Sequence, residues 1–232
     1  MKLVVINPNS TASMTDKIVE AARAVACPGT EVEGRTAHGA PASIEGHFDE
    51  VMCAAHLLRE VQEAEGQGAD AIVVACFDDP AIGACREVAT GPVLGICEAG
   101  VKAASMIATS FSIGTTLPRS VPVIEELVRR YGLDHQCRRV RSAEIPVLAL
   151  EQPGSDARAR VRAEILRAIE EDRCEAVLLG CAGMADLTEW LSAECGIPVI
   201  DGVTAATTFA EALVRAGLRT SKIGAYAHPI QK

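Results

Sequence analysis

Apolar residues along this chain come in two spacings that alternate almost from end to end. Short runs rich in Val, Ile and Leu predict strands at residues 2–6, 30–36, 70–75, 92–95, 109–114, 138–141, 145–149, 175–180 and 198–200, with another at 222–226. Between them, three-to-four-residue spacing predicts helices at 10–26, 47–67, 80–89, 97–108, 119–131, 155–171, 184–194 and 203–216. The helix at 155–171 has a cap signal in Pro153, Gly154, Ser155 and Asp156. Strand and helix alternating almost throughout imply βαβ units and mostly parallel sheets, an α/β protein.

The pattern also repeats. Residues 70–76 read Asp-Ala-Ile-Val-Val-Ala-Cys, and residues 175–181 read Glu-Ala-Val-Leu-Leu-Gly-Cys. Each is an acidic residue and an apolar run ending at a cysteine, followed by loop residues, helical sequence and a second short strand (Pro92–Gly95; Pro198–Asp201). The first strand ends in Asn7-Pro8-Asn9-Ser10-Thr11 and the strand near 111 in Gly114-Thr115-Thr116, at nearly the same offset as Cys76 from Cys181. Two similar lobes, each a mostly parallel sheet flanked by helices, therefore face one another. The expected division is 1–97 for the first lobe and 98–204 for the second. Residues 205–232 follow a completed second lobe and are expected to complete the first.

Composition narrows the possibilities. Nearly half of the 232 residues are hydrophobic and few are aromatic, the texture of strands buried on both faces. A net charge of −9 argues against a nucleic-acid partner, which needs a basic surface. The apolar run at Leu3–Ile6 is too short for a signal peptide, and no later stretch reads as a membrane span. Nine cysteines without a disulfide-like framework fit a reducing compartment, so the expectation is a soluble cytoplasmic protein.

Cysteine is commonly just a small buried hydrophobe, and Cys27, Cys53, Cys85, Cys97, Cys137, Cys174 and Cys195 are read that way. Cys76 and Cys181 differ, because both end a strand, both precede a predicted helix and both hold the same place in the repeat. Ligands bind beyond the carboxyl ends of strands in open α/β sheets. A following helix N-terminus can lower a thiol's pKa from about 8.5. The amides of Phe77, Asp78, Ala182 and Gly183 could form nests for developing negative charge. Asn9, Ser10, Thr115 and Thr116 read both as helix caps and as walls of the cleft. Asp78 and Asp79 read as turn residues, and Glu98 and Asp201 as caps or cleft residues. A thiol on each side of a cleft suits moving a proton on and off a stereocentre. Cys53-Ala-Ala-His56 alone has ligand-like spacing, too little for a metal site. Neither a Gly-x-Gly-x-x-Gly nor a Walker motif supports nucleotide binding.

Taken together, Ile6-Asn7-Pro8-Asn9-Ser10-Thr11, Cys76-Phe77-Asp78-Asp79-Pro80, Gly95-Ile96-Cys97-Glu98-Ala99 and Leu179-Gly180-Cys181-Ala182-Gly183-Met184 resemble the hydantoin racemase family, within the wider aspartate/glutamate racemase superfamily. The resemblance spans essentially the whole chain. It implies two lobes about a pseudo-twofold axis and a cofactor-independent active site between them. Cys76 and Cys181 would stand on opposite faces of a small-molecule cyclic ureide. Amino-acid racemases similar to this chain follow their cysteines with Asn-Thr and Thr-His, and have an acidic residue after the first strand. Here Phe77, Ala182-Gly183 and Asn-Pro-Asn stand instead, matching a neutral ring better than a zwitterion. Arylmalonate decarboxylases, also similar, normally keep one of the two cysteines, and both are present here. The resemblance thus implies racemisation of 5-monosubstituted hydantoins, with allantoin as the alternative substrate. The alternatives from another class are a ligand-binding protein and a thiol redox protein whose cysteines are not catalytic. A homo-oligomer without metal or organic cofactor completes the expectation.

Overall fold

The structure, a computed structural model, describes residues 1–152 and 154–230. Among the described residues, eight strands form two four-stranded sheets in which every pairing is parallel. The first sheet contains β1 (Lys2–Asn7), β2 (Glu31–Thr36), β3 (Ala71–Val74) and β4 (Val93–Gly95), in the order β2-β1-β3-β4. The second contains β5 (Phe111–Thr115), β6 (Cys137–Ser142), β7 (Ala176–Leu179) and β8 (Val199–Asp201), in the order β6-β5-β7-β8. The same winding in both sheets is the repeat made physical. It agrees with the two lobes the hydrophobic pattern predicts.

Period-two alternation decides which side chains go where. Leu3, Val5, Ala71, Val73, Phe111, Ile113, Ala176 and Leu178 all point into one core shared by both sheets. Their neighbours Val4, Ile6, Ile72 and Val74 pack outward beneath α2 (His47–Gly66) and α3 (Ile82–Val88). Val177 and Leu179 do the same beneath α6 (Ala157–Arg167) and α7 (Thr188–Cys195). The shared core is filled by α1 (Ala12–Val25), α4 (Ile96–Ile107), α5 (Val121–Arg130) and α8 (Gly202–Arg215).

Two of those inner helices change partners. Helix α4 follows β4 of the first sheet but packs against β7 and β8 of the second. Helix α8 follows β8 of the second sheet and packs against β3 and β4 of the first. The exchange needs close backbone approach. A Cβ on Gly202, the first residue of α8, would lie 2.2 Å from the Ile96 carbonyl oxygen at the start of α4. Gly100 of α4 likewise lets the helix down onto Leu178 of β7.

Three expectations are corrected. Residues 145–149 are not a strand. Glu144 has a φ of 55°, and Pro146 leads into a 3-10 turn over Val147–Glu151. Residues 222–226 are also irregular, with Gly224 at φ 87° and Lys222 Nζ donating to the Arg86 and Glu87 carbonyls. The helix expected over 155–171 becomes α6 and a π turn over Ala168–Asp172. Asp156 stands at its N-cap position without a side-chain cap bond, and Pro153 lies outside the described residues.

Candidate active site

Cys76 and Cys181 each stand two residues beyond a strand end, past Val74 of β3 and Leu179 of β7. The residues between do the same thing in both halves. Ala75 N donates to Ile6 O and Gly180 N to Gly114 O, both at 2.8 Å, so each sheet ladder runs one bond past its strand. Both cysteines then open into one cavity at the carboxyl ends of both sheets. Asn9, Met14, Ile44, Ala75, Phe77, Asp78, Thr115, Thr116, Ser120, Val147, Gly180 and Ala182 complete its wall.

Of the residues singled out from sequence, Asn9, Cys76, Phe77, Asp78, Thr115, Thr116, Cys181 and Ala182 therefore meet in one place. Ser10 and Gly183 do not line it. Ser10 instead donates its amide to Pro41 O, and Gly183 faces a neighbouring hollow beside Leu150 and Lys17. Asp201 caps α8, accepting from Val203 N and Thr204 N at 2.8 and 2.9 Å. Glu98 pairs with Arg86 and Lys102 away from the thiols. The sequence reading passed over Met14, Ser120, Ile44 and Val147. The last two sit in equivalent loops, between β2 and α2 and between β6 and α6, and Val147 N donates to Glu45 Oε1 across the cleft at 3.2 Å. Their only sequence signal is that shared place in the repeat.

The asparagines build the mouth of β1. Asn7 Nδ2 donates to Asn9 Oδ1 at 2.9 Å and to Thr15 Oγ1 at 3.0 Å, and Thr11 N donates to Asn9 Oδ1 at 2.9 Å. Their carboxamides cap the turn into α1, leaving Thr11 at the N-cap without a side-chain cap bond. On the other side, Thr115 Oγ1 donates to Gly180 O at 3.0 Å, tying β5 to the Cys181 loop.

Burial raises these two thiols as it raises the core cysteines Cys53, Cys85, Cys97 and Cys137. Burial pushes Cys76 well above the usual thiol range and Cys181 up to about 12, with the charge of Asp78 adding to both. One backbone amide opposes this at each site, that of Asp78 at Cys76 and that of Gly183 at Cys181. These are the i+2 amides in both halves, so two of the four amides expected to face a substrate anion face the thiols themselves. A helix N-terminus does not adjoin Cys76, because α3 starts only at Ile82. At Cys181 a 3-10 turn, Ala182–Leu187, follows directly. Asp78 is itself buried at 8 % exposure, and among the described residues its carboxylate has no hydrogen-bond partner. Burial, with Glu50 nearby, lifts it to about 6. Among the described residues no three His, Cys, Asp or Glu side chains cluster as a metal site, and no helix is long and apolar enough to cross a membrane. A cavity of about 570 Å³ lies elsewhere, between β4, α4, α8 and the C-terminal tail, and reaches neither thiol.

Comparison with known proteins agrees with this architecture. Residues 3–210 match the Asp/Glu/Hydantoin racemase family. The chain is 52% identical to a hydantoin racemase of Rhizobium meliloti, covering 99% of this chain and 95% of that one. It is 43% identical to a hydantoin racemase of Pseudomonas sp. (strain NS671), covering 100% and 93%. Among solved structures, an allantoin racemase from Klebsiella pneumoniae superposes with a TM-score of 0.98 at 45% identity, covering 100% of this chain and 95% of that one. Glutamate racemase from Francisella tularensis shares the fold alone, with a TM-score of 0.68 at 16% identity and coverage of 95% and 84%. The chain belongs to the Asp/Glu/Hydantoin racemase family, and its class of chemistry is isomerisation.

Proposed function

We propose that this enzyme racemises 5-monosubstituted hydantoins by moving the C5 proton between Cys76 and Cys181. The observation that carries the reading is the equivalence of the two thiols: same distance past the strand, same i+2 amide at the thiol, one shared cavity. One cysteine, as thiolate, takes the C5 proton. The electron pair left on C5 delocalises into the C4 carbonyl as an enolate, and the opposite thiol delivers its proton to the other face. The roles reverse for the other enantiomer.

The raised thiol pKa values bear on this in two ways. They keep the thiolate scarce in the empty site, and they make it a stronger base once formed. The i+2 amides oppose the first effect. Asp78 offers an acceptor for a ring N–H, and a ring donor bonded to it would offset the charge that disfavours both thiolates. Asn9, Thr115 and Thr116 remain the groups proposed to orient the ureide ring. The amides of Phe77 and Ala182 remain for the enolate oxygen, where one such donor is typically worth about 2.7–4 kcal/mol.

The 5-substituent would meet Met14, Ile44, Phe77 and Val147, a wall without formal charge. That favours apolar substituents. Allantoin, a hydantoin carrying a ureido group, is the second reading, favoured by the likeness to the Klebsiella pneumoniae allantoin racemase. No metal or organic cofactor is invoked. The cytoplasm and a homo-oligomer are the proposed setting, consistent with nine free cysteines and exposed Phe48, Val51 and Met106. Loss of optical rotation from each pure enantiomer of benzyl-, isobutyl- and methylthioethylhydantoin and of allantoin, with deuterium uptake at C5 in D2O, tests the activity and ranks substrates. Stable rotation across that panel would reject the reading in favour of a binding or redox protein.

A further inference from the structure

The loop after Cys76 is held by a carboxylate, and the loop after Cys181 is not. Asp79 lies three residues beyond Cys76 at φ 44°, and its amide closes a turn onto the Cys76 carbonyl at 3.1 Å. Its side chain is fully engaged. Oδ1 accepts from Cys97 N at 3.0 Å, and Oδ2 accepts from Glu98 N at 2.9 Å and from the Tyr131 hydroxyl at 2.7 Å. The first two donors are orphan amides at the start of α4, and Tyr131 closes α5 in the second half of the chain.

The equivalent place beyond Cys181 holds Met184, fully buried among apolar side chains. The N-cap positions are reversed to match. Helix α8 is capped by its own Asp201, whereas α4 has Gly95 there, and a Cβ on Gly95 would stand 2.2 Å from the Asp79 carboxyl group. In the first half the capping carboxylate thus sits on the thiol's own loop. Because α4 packs on β7 and β8, that carboxylate ties the Cys76 loop to the sheet bearing Cys181.

We propose that Asp79 is a positioning residue for Cys76, using Tyr131 and the start of α4 to hold that thiol in register with Cys181. This rests on the two-thiol reading above. A displacement of about 1 Å at a reacting group can reduce rate about 100-fold, so such a tether has kinetic weight. It also has a handedness. A loosened Cys76 abstracts poorly from one enantiomer and reprotonates poorly when Cys181 abstracts from the other.

Two mild variants approach the tether from opposite sides. Tyr131→Phe removes the hydroxyl bond, and Gly95→Ala pushes on the carboxylate. Both should lower kcat by about tenfold or more with KM little changed. In D2O, the ratio of C5 exchange to inversion should rise for one enantiomer only, the one deprotonated by Cys181. Independently of turnover, iodoacetamide modification of Cys76 relative to Cys181, followed by peptide mass, should change several-fold in both variants. Equal effects on both thiols and both enantiomers, or no effect on either, would overturn the tether. If the wild type racemises nothing, the functional reading fails, yet the modification ratio still decides the positioning role.

Discussion

Arg35 and Arg141 hold the same place in the two sheets, each a buried guanidinium ringed by acids. Arg35 pairs with Ile6 across β2 and β1, and Arg141 with Gly114 across β6 and β5. Ile6 and Gly114 are equivalent, since they accept the bonds from Ala75 and Gly180. Arg35 bonds Glu33 at 2.8 Å and Gln67 at 2.6 Å. Arg141 bonds Asp172 at 2.6 and 2.7 Å, Glu171 at 2.5 Å and Glu164 at 3.0 Å. Each pins its sheet's edge strand to the helices outside it.

Replacing Arg141 by Leu should therefore destabilise the fold, because Asp172 stays buried without its cation. Breaking such a pair costs about 3 kcal/mol, on the order of 6–12 °C in Tm for a chain of this size. The pH dependence has a definite sign. Burial raises the Asp172 carboxyl, but the bonds and charge of Arg141, with the Ser112 hydroxyl, hold it below its ordinary value, so the contribution of Arg141 is present above the unfolded carboxyl pKa and lost as pH falls through the folded one. Thermal unfolding from pH 7 to 3 should show wild type and variant converging in acid. A gap that stayed constant would remove the charge pairing from the explanation.

Cys76→Ser and Cys181→Ser should each abolish net racemisation, by at least about 100-fold, since a hydroxyl neither ionises nor returns a proton like a thiol. Each variant should retain some C5 exchange in D2O for one enantiomer, and the two should prefer opposite enantiomers. Finding that both exchange the same enantiomer would indicate one shared base.

Asp78→Asn isolates the charge beside both thiols. Without that carboxylate each thiolate is less disfavoured, so both thiol pKa values should fall and iodoacetamide modification should reach its plateau at lower pH. Racemisation should nonetheless weaken through a higher KM, because the ring loses its acceptor. Unmoved modification profiles would show that burial alone sets the thiols.

Ile44→Ser and Val147→Ser probe the substituent wall. Each should lower kcat/KM for benzylhydantoin by roughly tenfold relative to allantoin, the scale of one lost apolar contact in a pocket. An equal loss on both substrates would mean these loops shape the ring site and not the substituent site.

The strand ends were readable from sequence because the chain says them twice. Buried parallel strands carry continuous apolar runs, so β3 and β7, and the cysteines closing them, stand out even without periodicity. Residues 145–149 misled for the same reason. Ile-Pro-Val-Leu-Ala has strand composition, but Pro146 and the left-handed Glu144 turn it into a single 3-10 turn over the cavity. Ser10 shared the polar texture of Asn9, and only the fold distinguishes a side chain on the cavity wall from its neighbour. The buried arginines and the Asp79–Tyr131 bond were illegible, because a charge in sequence reads as surface until its partners arrive from distant segments.

The crossed helices α4 and α8 make the two halves hostages to each other. A fragment ending near residue 108, just past α4, would carry a sheet whose inner face lacks α8, and the remainder would carry a sheet lacking α4. Each would bare a strip of Val, Leu and Ala to water, an invitation to pair with another copy. Mixed together, the fragments should reassemble by trading those helices across the break. The intact chain, for its part, cannot cover its first sheet until α8, long after β4, has been synthesised.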